Sequence, residues 1–368
     1  MSLVGFETAR EKTMEAIKGK VAFLYGPKDL RIEEVEFPPL KPNEILIKLK
    51  ACGICGSDVE CFEGESAEGR YDLGPYTPGH EWAGQAVAVG SGVTSVKPGN
   101  KVVGDCVLPC YNCANCKDGK MPSACLNMRE VGFRPDSPGG MGEYMILEEC
   151  YTHVIPDDWD YELGAWVETF NVGYWGVWGN GCAPDASDDC VIIGAGPIGL
   201  CASMVCKNSN ARVIVIDPLE SRRENALNYG ADFVVDPTKQ DFQDEVLRLT
   251  NGRGPSVVIE CSGNDIGIAS LFDLAGHSAR VGLIGHSIGR KVPVEIGKTI
   301  WKTLQISGSG GTDRWFPRTI RFMSTIKDKY DFAALNTHHF DFKDIHQAFD
   351  TACHDKANAR KVMLTFGK

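Results

Sequence analysis

The sequence predicts an α/β protein with two domains, a β-rich one and a doubly wound parallel sheet. At 368 residues, the chain exceeds the roughly 250–300 residues that a single hydrophobic core can serve. Apolar and polar residues alternate at a period of two through much of the first half, and turn residues separate the segments. From Asp189 onward, short apolar strands alternate with helical segments, which is typical of βαβ units.

The β-rich part begins with three segments that read as strands, VAFLY, LRIEEVEF and EILIKLKA. The turn-forming groups GPKD and PPLKPN separate them, and EWAGQAVAVG and KVVGDCV continue the alternation, so we expect a small barrel. In the second part, DCVIIGAG, PIGLCASMVCKNS and ARVIVID form a strand, a helix and a strand, and further such units follow. The C-terminal segment returns to a helix and ends in the strand-like RKVMLTF.

Charge and composition exclude several classes of partner. The formal net charge is −11, from 38 basic and 49 acidic side chains, and this field repels phosphate backbones and anionic lipid surfaces. No apolar stretch approaches the roughly 18 residues of a membrane span. The N-terminal stretch lacks the apolar core of a signal peptide. We therefore expect a cytoplasmic protein with no nucleic-acid or membrane partner.

Fifteen cysteines without a secretory signal favour metal binding over a disulfide scaffold. Four of them lie within sixteen residues, in a segment too polar to be a core strand: Cys110, Cys113, Cys116 and Cys125. Four thiolates at this spacing can close a tetrahedral zinc site with no open position, which predicts a structural zinc. Most other cysteines lie in apolar segments and are expected to be small core residues: Cys61, Cys106, Cys150, Cys182, Cys190, Cys201, Cys206, Cys261 and Cys353.

A glycine-rich motif follows the strand that begins at Asp189 and directly precedes a helix. Its residues are Gly194, Gly196, Pro197, Ile198 and Gly199. This context predicts a dinucleotide-binding turn, with the pyrophosphate at the helix N-terminus. Asp217 follows the next strand, 217 − 194 = 23 residues on, where it would bind ribose hydroxyls and repel a 2′-phosphate. NAD is therefore expected, although Arg222 and Arg223 keep NADP as an alternative.

A second group of possible metal ligands is ambiguous when each motif is taken alone. Cys52 and Cys55 also suit a redox C-x-x-C pair, and a lone His80 suits a hydrogen-bonded core histidine. However, ICGSD, PGHE, the four-cysteine segment, GGMGEY, VETFNVGYWGV and GAGPIGL occur in the order found in zinc-containing medium-chain dehydrogenases. From about residue 20 to its end, the chain resembles that family. Its VGFRPDSPGG, VETFNV and SGSGGTDRWFPRTI segments are most similar to the sorbitol-, threonine- and inositol-type branch.

The resemblance implies a catalytic zinc with ligands Cys55, His80 and Glu168. Glu168 stands where liver-type alcohol dehydrogenases have a cysteine, which points to the polyol branch. Glu81 is implied to be either a direct ligand or a partner that exchanges with substrate or water. Ser57 matches the family's proton-relay hydroxyl. Two zinc ions per chain, one catalytic and one structural, are therefore expected.

The resemblance also extends to the cofactor cleft, with two departures elsewhere. It places Arg222 over the adenine, and Ser262 and Gly285 at strand ends that face the nicotinamide half. Glu60 occupies the position of a histidine that often continues the proton relay, and Thr169 that of a proline that often follows Glu168. The proton route beyond Ser57 stays open for this reason.

The implied architecture is a chaperonin-10-like β-barrel joined to a Rossmann domain. We predict a catalytic domain over residues 1–170, to which residues 313–368 return, and an NAD-binding domain over 171–312. The implied reaction is reversible oxidation of a polyol's secondary hydroxyl by a homodimer or homotetramer, in which strands near WKTLQISGS pair across a two-fold axis. The alternatives are a dehydrogenase of simple secondary alcohols, a zinc-free reductase of the same fold and an NAD(H)-binding sensor without turnover.

Overall fold

The computed structural model describes residues 17–65, 71–239, 241–285, 291–310 and 315–367. Its strands, in chain order, are β1 (Lys18–Gly26), β2 (Asp29–Glu36), β3 (Glu44–Ile54), β4 (Glu81–Val89), β5 (Lys101–Gly104), β6 (Val107–Leu108), β7 (Arg129–Glu130), β8 (Tyr144–Glu148), β9 (Thr152–Val154), β10 (Asp189–Ile193), β11 (Arg212–Ile216), β12 (Phe233–Val235), β13 (Val257–Glu260), β14 (Arg280–Leu283), β15 (Gln305–Gly308), β16 (Asn336–Asp341) and β17 (Lys361–Thr365).

The helices are α1 (Gly56–Glu63), α2 (Ala114–Lys117), α3 (Tyr161–Tyr174), α4 (Pro197–Asn208), α5 (Glu220–Asn228), α6 (Phe242–Leu249), α7 (Asp265–Leu274), α8 (Gly297–Trp301), α9 (Phe316–Ile326) and α10 (Ile345–His354). A turn of π-helix, Trp175–Gly179, extends α3. Within the described ranges, none of these helices has the length and apolar character needed to span a membrane.

The first sheet has the strand order β16-β17-β3-β4-β5-β9, and β8 also pairs with β3. The C-terminal strand β17 lies antiparallel to the end of β3, so the last segment of the chain returns to the sheet of β3 and β4. The hairpin β1–β2 closes over this sheet through bridges from Val21 to Gly142 and from Leu24 to Tyr76. The predicted strand KVVGDCV is divided, because β5 ends at Gly104 and β6 pairs with β7 instead.

The second sheet has six parallel strands in the order β12-β11-β10-β13-β14-β15. The chain moves outward from β10 to β12 and then crosses back to β13, so the strand order reverses between β10 and β13. Ligands of such sheets bind at the carboxyl ends of the strands beside this reversal. The predicted α/β fold class, with a doubly wound parallel sheet and a separate β-rich sheet, is confirmed. The domain boundaries stay a prediction.

Helix α3 joins the two sheets. Its buried residues Ala165, Trp166 and Phe170 belong to one hydrophobic cluster with residues of both sheets and of α4 and α9. Because the helix contacts β3, β4 and β5 on one side and α4 on the other, a residue at its centre lies between the metal-site loops and the cofactor sheet. One sequence expectation is wrong: Cys150 is exposed, since it sits in a short 3₁₀ turn, Glu149–Tyr151, between β8 and β9.

Candidate metal and cofactor sites

The first candidate metal site forms where two loops meet at the edge of the barrel. Cys55 is the N-cap residue of α1, while His80 precedes β4 and Glu81 begins it. The ligand atoms of these three residues all lie within 4.8 Å of one another. Thiolate, imidazole and carboxylate groups are the ligands that zinc takes in proteins, so this donor set fits the metal.

The side chain of Asp58 links the two loops of the metal site through hydrogen bonds. Its buried carboxylate accepts hydrogen bonds from the backbone N–H of Cys55 (2.9 Å) and of Gly79 (3.2 Å), and Oδ1 lies 3.8 Å from Nδ1 of His80. Burial would lower the pKa of His80, but Asp58 and Cys55 raise it well above its usual value. The surrounding negative groups therefore favour a positive charge at this point, as a metal-binding site requires.

Glu168 lies at the centre of α3 and faces the same site. It is buried and interacts electrostatically with His80, but it is outside the group of three whose ligand atoms lie within 4.8 Å. Burial raises the pKa of Glu168 to about 7, although the neighbouring His80 lowers it. A carboxylate in this environment gains strongly from a nearby cation. Its expected role as a zinc ligand stays a prediction.

Lys361, at the start of β17, is a residue of this site that the sequence did not reveal. Its side chain is only 4% exposed, and its ammonium donates to both carboxylate oxygens of Glu81, at 2.6 and 2.5 Å. The Thr169 hydroxyl donates a hydrogen bond to Glu81 Oε1 at 2.8 Å. Thr169 stands where the family often has a proline, and a proline could not make this bond. Burial would raise the pKa of Glu81, but the Lys361 charge outweighs it and the pKa lies below its usual value.

The space around this ion pair requires a glycine in β3. A Cβ atom on Gly53 would lie 2.4 Å from Glu81 Oε2 and 3.2 Å from Lys361 Cδ. Lys361 is 280 residues from Glu81, and the two meet because β17 and β4 both pair with β3. No local motif signals such a contact.

Ser57 lies in the first turn of α1, two residues after Cys55, and is half-buried. Phe133 covers another side of the metal site, with its ring stacked on that of His80 at a centroid distance of 5.0 Å. The site therefore has a half-buried hydroxyl in the helix turn that follows Cys55, and an aromatic wall.

The four-cysteine segment forms the second candidate metal site. The sulfur atoms of Cys110, Cys113, Cys116 and Cys125 lie within 4.8 Å of one another, with Cys113 Sγ 3.4 Å from Cys116 Sγ. Backbone N–H groups point at the sulfurs, among them that of Cys113 at Cys110 Sγ (3.3 Å). Hydrogen bonds from Asn112 and Cys113 lower the pKa of Cys110 to about 6. Four convergent sulfur atoms, with backbone donors that favour the thiolate of Cys110, fit a structural zinc.

The glycine motif forms a tight turn between β10 and α4. Gly194 has φ +96°, which side-chain-bearing residues rarely adopt, and a Cβ on Gly199 would lie 1.9 Å from the Gly194 carbonyl oxygen. Gly196 is the N-cap of α4, and Pro197 is its first residue. The backbone N–H groups of the first turn, among them that of Ile198, therefore point toward the strand ends. Such a helix N-terminus binds phosphate groups.

Asp217 follows β11 and points back at this turn. Its Oδ2 accepts from the N–H of Ala195 and its Oδ1 from that of Leu219, each at 2.9 Å. The carboxylate is therefore fixed beside the phosphate turn. Arg222 Nη1 lies 3.9 Å from Asp217, and its Nη2 donates to the carbonyl of Lys356, in the C-terminal part of the chain.

Ser262 and Gly285 follow β13 and β14 and lie at the same edge of the sheet as Gly194. A Cβ on Gly194 would lie 2.9 Å from Ser262 Cβ, and one on Gly285 would lie 2.4 Å from the nitrogen of Gly263. The three loops therefore pack directly against one another and form a continuous floor at the strand-order reversal.

Comparison with known proteins identifies the family of this chain. Residues 41–157 match the alcohol dehydrogenase GroES-like domain, and residues 197–325 match the zinc-binding dehydrogenase family. The chain is 30% identical over 349 residues to an L-threonine 3-dehydrogenase of Shewanella baltica, which covers 93% of this chain and 98% of that protein. The chain belongs to the zinc-binding alcohol dehydrogenase family. A sorbitol dehydrogenase of Bacillus subtilis is 28% identical to this chain, and the match covers 94% of this chain and 96% of that protein.

Solved structures agree with this assignment. An Escherichia coli alcohol dehydrogenase complexed with NADH is 30% identical, with a TM-score of 0.85 over 95% of this chain and 99% of that one. A zinc-binding dehydrogenase of Sinorhizobium meliloti bound to NADP is 27% identical, with the same TM-score and coverage. The predictions of an alcohol dehydrogenase of the polyol-type branch, with zinc and a nicotinamide dinucleotide, are confirmed. Because the two structures hold different dinucleotides, side chains rather than the fold must select between them.

Proposed function

We propose that this dehydrogenase oxidises a secondary hydroxyl of a polyol, or of a small substrate with another heteroatom beside that hydroxyl, to the ketone. The observation that carries the proposal is the buried carboxylate of Glu168 beside His80. A carboxylate can bind a metal directly or through water, which leaves room for two adjacent substrate oxygens where a fixed thiolate would not. The relatives' names support this, because threonine and sorbitol each carry a secondary hydroxyl next to a second heteroatom.

The proposed ligands of the catalytic zinc are Cys55, His80 and Glu168. Glu81 has a ligand atom in the same group as Cys55 and His80, but both of its oxygens accept from Lys361, which balances its charge within the protein. We therefore assign Glu81 the role of a partner that exchanges with substrate or water. When bound, zinc supplies a Lewis acid and NAD supplies the hydride acceptor. The chain's own groups orient the substrate between them and remove its proton.

We propose that Ser57 takes up the proton of the reacting hydroxyl. Its hydroxyl can accept a hydrogen bond from the substrate and donate one toward solvent, as a relay group must. Glu60 lies three residues later on α1, on the same helix face, and is the next proposed acceptor. Asp58 fixes Cys55 at the helix N-cap and thereby positions Ser57 relative to the metal.

For the cofactor we propose NAD in preference to NADP. Two backbone N–H groups fix the Asp217 carboxylate at the end of β11, and a 2′-phosphate there would meet its negative charge. Arg222 is bonded to the Lys356 carbonyl, and Arg223 Nη1 donates to the carbonyls of Asp217 and Pro218. We also propose a cytoplasmic location, since all fifteen cysteines are unpaired, as in a reducing compartment.

The proposal is tested with Glu168→Cys on a panel of vicinal diols, monohydric secondary alcohols and primary alcohols, measured by NAD reduction. We expect the variant to keep its zinc and to lose activity on vicinal diols more than on monohydric secondary alcohols. Glu168→Asp, which keeps a carboxylate, is the matched control and should retain the preference for diols. An equal loss on both classes would show that Glu168 serves only to hold the metal. A wild-type enzyme that prefers primary alcohols to every polyol would overturn the proposal.

A further inference from the structure

Two hydrogen bonds connect the helix beside Asp217 to the segment of chain that leads into the metal site. Helix α5 packs on β11 and β12 of the parallel sheet, and its residues Arg222 and Asn225 lie on one face. Arg222 donates from Nη2 to the carbonyl of Lys356 at 2.9 Å. Arg360 donates from Nη1 to Oδ1 of Asn225 at 2.6 Å. Both bonds end in the segment between α10 and β17, so they join the parallel sheet to the sheet of β3 and β17.

The segment between α10 and β17 is compact. The backbone N–H and the side-chain amide of Asn358 both donate to Asp355, at 3.0 and 2.7 Å. At the end of the segment, the N–H of Arg360 donates to the hydroxyl of Thr337 at 3.0 Å, and that hydroxyl lies 3.3 Å from the Lys361 carbonyl. A turn closed by such hydrogen bonds moves as a unit, so a displacement of Arg360 reaches Lys361, the next residue.

Lys361 carries such a displacement to the metal site. Its buried ammonium donates to both carboxylate oxygens of Glu81, at 2.6 and 2.5 Å. The Glu81 carboxylate also has a ligand atom in the group that it forms with Cys55 and His80. The attraction between opposite charges falls with their separation, and little water screens it in a buried pair. The distance between the Lys361 ammonium and Glu81 therefore sets how strongly this carboxylate is held away from a bound metal.

We propose that Arg360 is a positioning residue that couples dinucleotide binding at Asp217 to the Glu81 carboxylate at the metal site. The proposal rests on the dinucleotide site and on the exchange role given to Glu81, and it is independent of which alcohol is oxidised. Arg360 acts by holding the start of β17 against α5 through Asn225. By thermodynamic linkage, a change at Glu81 must then alter the affinity for a ligand at Asp217 by the same factor as the reverse.

Arg222 provides the contact between a bound dinucleotide and this segment. Its Nη1 lies 3.9 Å from the Asp217 carboxylate, where ribose hydroxyls would bind. A guanidinium has five N–H donors, so Arg222 can donate to the ligand and keep its bond to the Lys356 carbonyl. Ligand binding therefore fixes α5 and the segment after α10 relative to each other, and Arg360 passes this constraint to the start of β17.

The test measures the dissociation constant of ADP-ribose by calorimetry on the zinc-loaded full chain, with zinc content measured on each sample. ADP-ribose has no nicotinamide ring, so it reports binding at the Asp217 end. Glu81→Gln should weaken ADP-ribose by about fivefold or more, because the start of β17 loosens and the ligand must order it. In the Arg360→Ala background, the same substitution should change the constant by less than about twofold, as for independent sites. If Glu81→Gln loses its zinc, Thr169→Val replaces it, since this removes another hydrogen bond to Glu81.

Two further variants provide a control and a second route to the same result. Lys356→Ala removes an exposed side chain but keeps the carbonyl that accepts from Arg222, so the effect of Glu81→Gln should persist. Asn225→Ala removes the acceptor of Arg360 and should abolish the effect, and it also serves if Arg360→Ala fails to fold. An equal effect of Glu81→Gln with and without Arg360, or no effect in the wild-type background, would overturn the proposal. Failure of the wild-type chain to bind ADP-ribose would instead contradict the dinucleotide site.

Discussion

Lys361→Met is expected to destabilise the protein more than removal of any exposed lysine. The substitution leaves the Glu81 carboxylate buried with only the Thr169 hydroxyl as a partner from this group. Removing one member of a buried ion pair costs about 3–5 kcal/mol. Two short charge-assisted hydrogen bonds are lost, worth about 1.5–3 kcal/mol each, and the release of Lys361 from its own burial offsets part of this. We therefore expect a loss of about 3–4 kcal/mol.

The assay is urea unfolding followed by tryptophan fluorescence, with zinc content measured on the same samples. Lys343→Met, which removes an exposed lysine between β16 and α10, should change the free energy of unfolding by less than about 0.5 kcal/mol. The double variant Lys361→Met/Glu81→Gln removes the stranded charge and should be at least about 1 kcal/mol more stable than Lys361→Met alone. A loss under about 1 kcal/mol in the single variant, or a double variant less stable than it, would refute the reasoning.

Three other predictions follow from the remaining sites. Metal analysis should find about two zinc ions per chain, and Cys110→Ser should remove one of them. An unchanged zinc content in this variant would show that the four cysteines do not hold a zinc ion. Asp217→Gly should raise the initial rate with NADP relative to NAD, and a wild-type enzyme at least as fast with NADP would contradict our account of Asp217. We also propose a dimer that forms through the edge strand β15, because Ile300 and Trp301 beside it are 83% and 77% exposed. Trp301→Glu should yield monomers in light scattering. A monomeric wild-type protein would exclude this interface.

Features coded by adjacent residues could be predicted from the sequence. The glycine turn at Gly194, the four cysteines from Cys110 and the alternating strands depend on spacings of a few residues, and local conformation follows from such spacings. The order of the family motifs further implied that Cys55, His80 and Glu168 share one site. The structure brings Cys55 and His80 together with Glu81, and leaves Glu168 facing them from α3.

Contacts between distant segments could not be predicted in this way. Thr169 stood out only as a departure from proline, and its bond to Glu81 is visible only because α3 packs against β4. Cys150 was grouped with the expected core cysteines, yet it lies in a 3₁₀ turn at the surface. Burial depends on where an element lies in the fold, and composition reports this only on average.

The sequence by itself determined the fold class, the four-cysteine segment and the glycine turn, because each depends on residues that are close along the chain. The tertiary structure alone decided which charges are paired and which are buried. It set Lys361 against Glu81 across 280 residues, and it buried the Glu260 carboxylate at the end of β13, where the N–H groups of Ser262 and Gly263 donate to it. The physical reason is that the energy of a charge depends on its distance from other charges and from water, and only the folded chain fixes those distances.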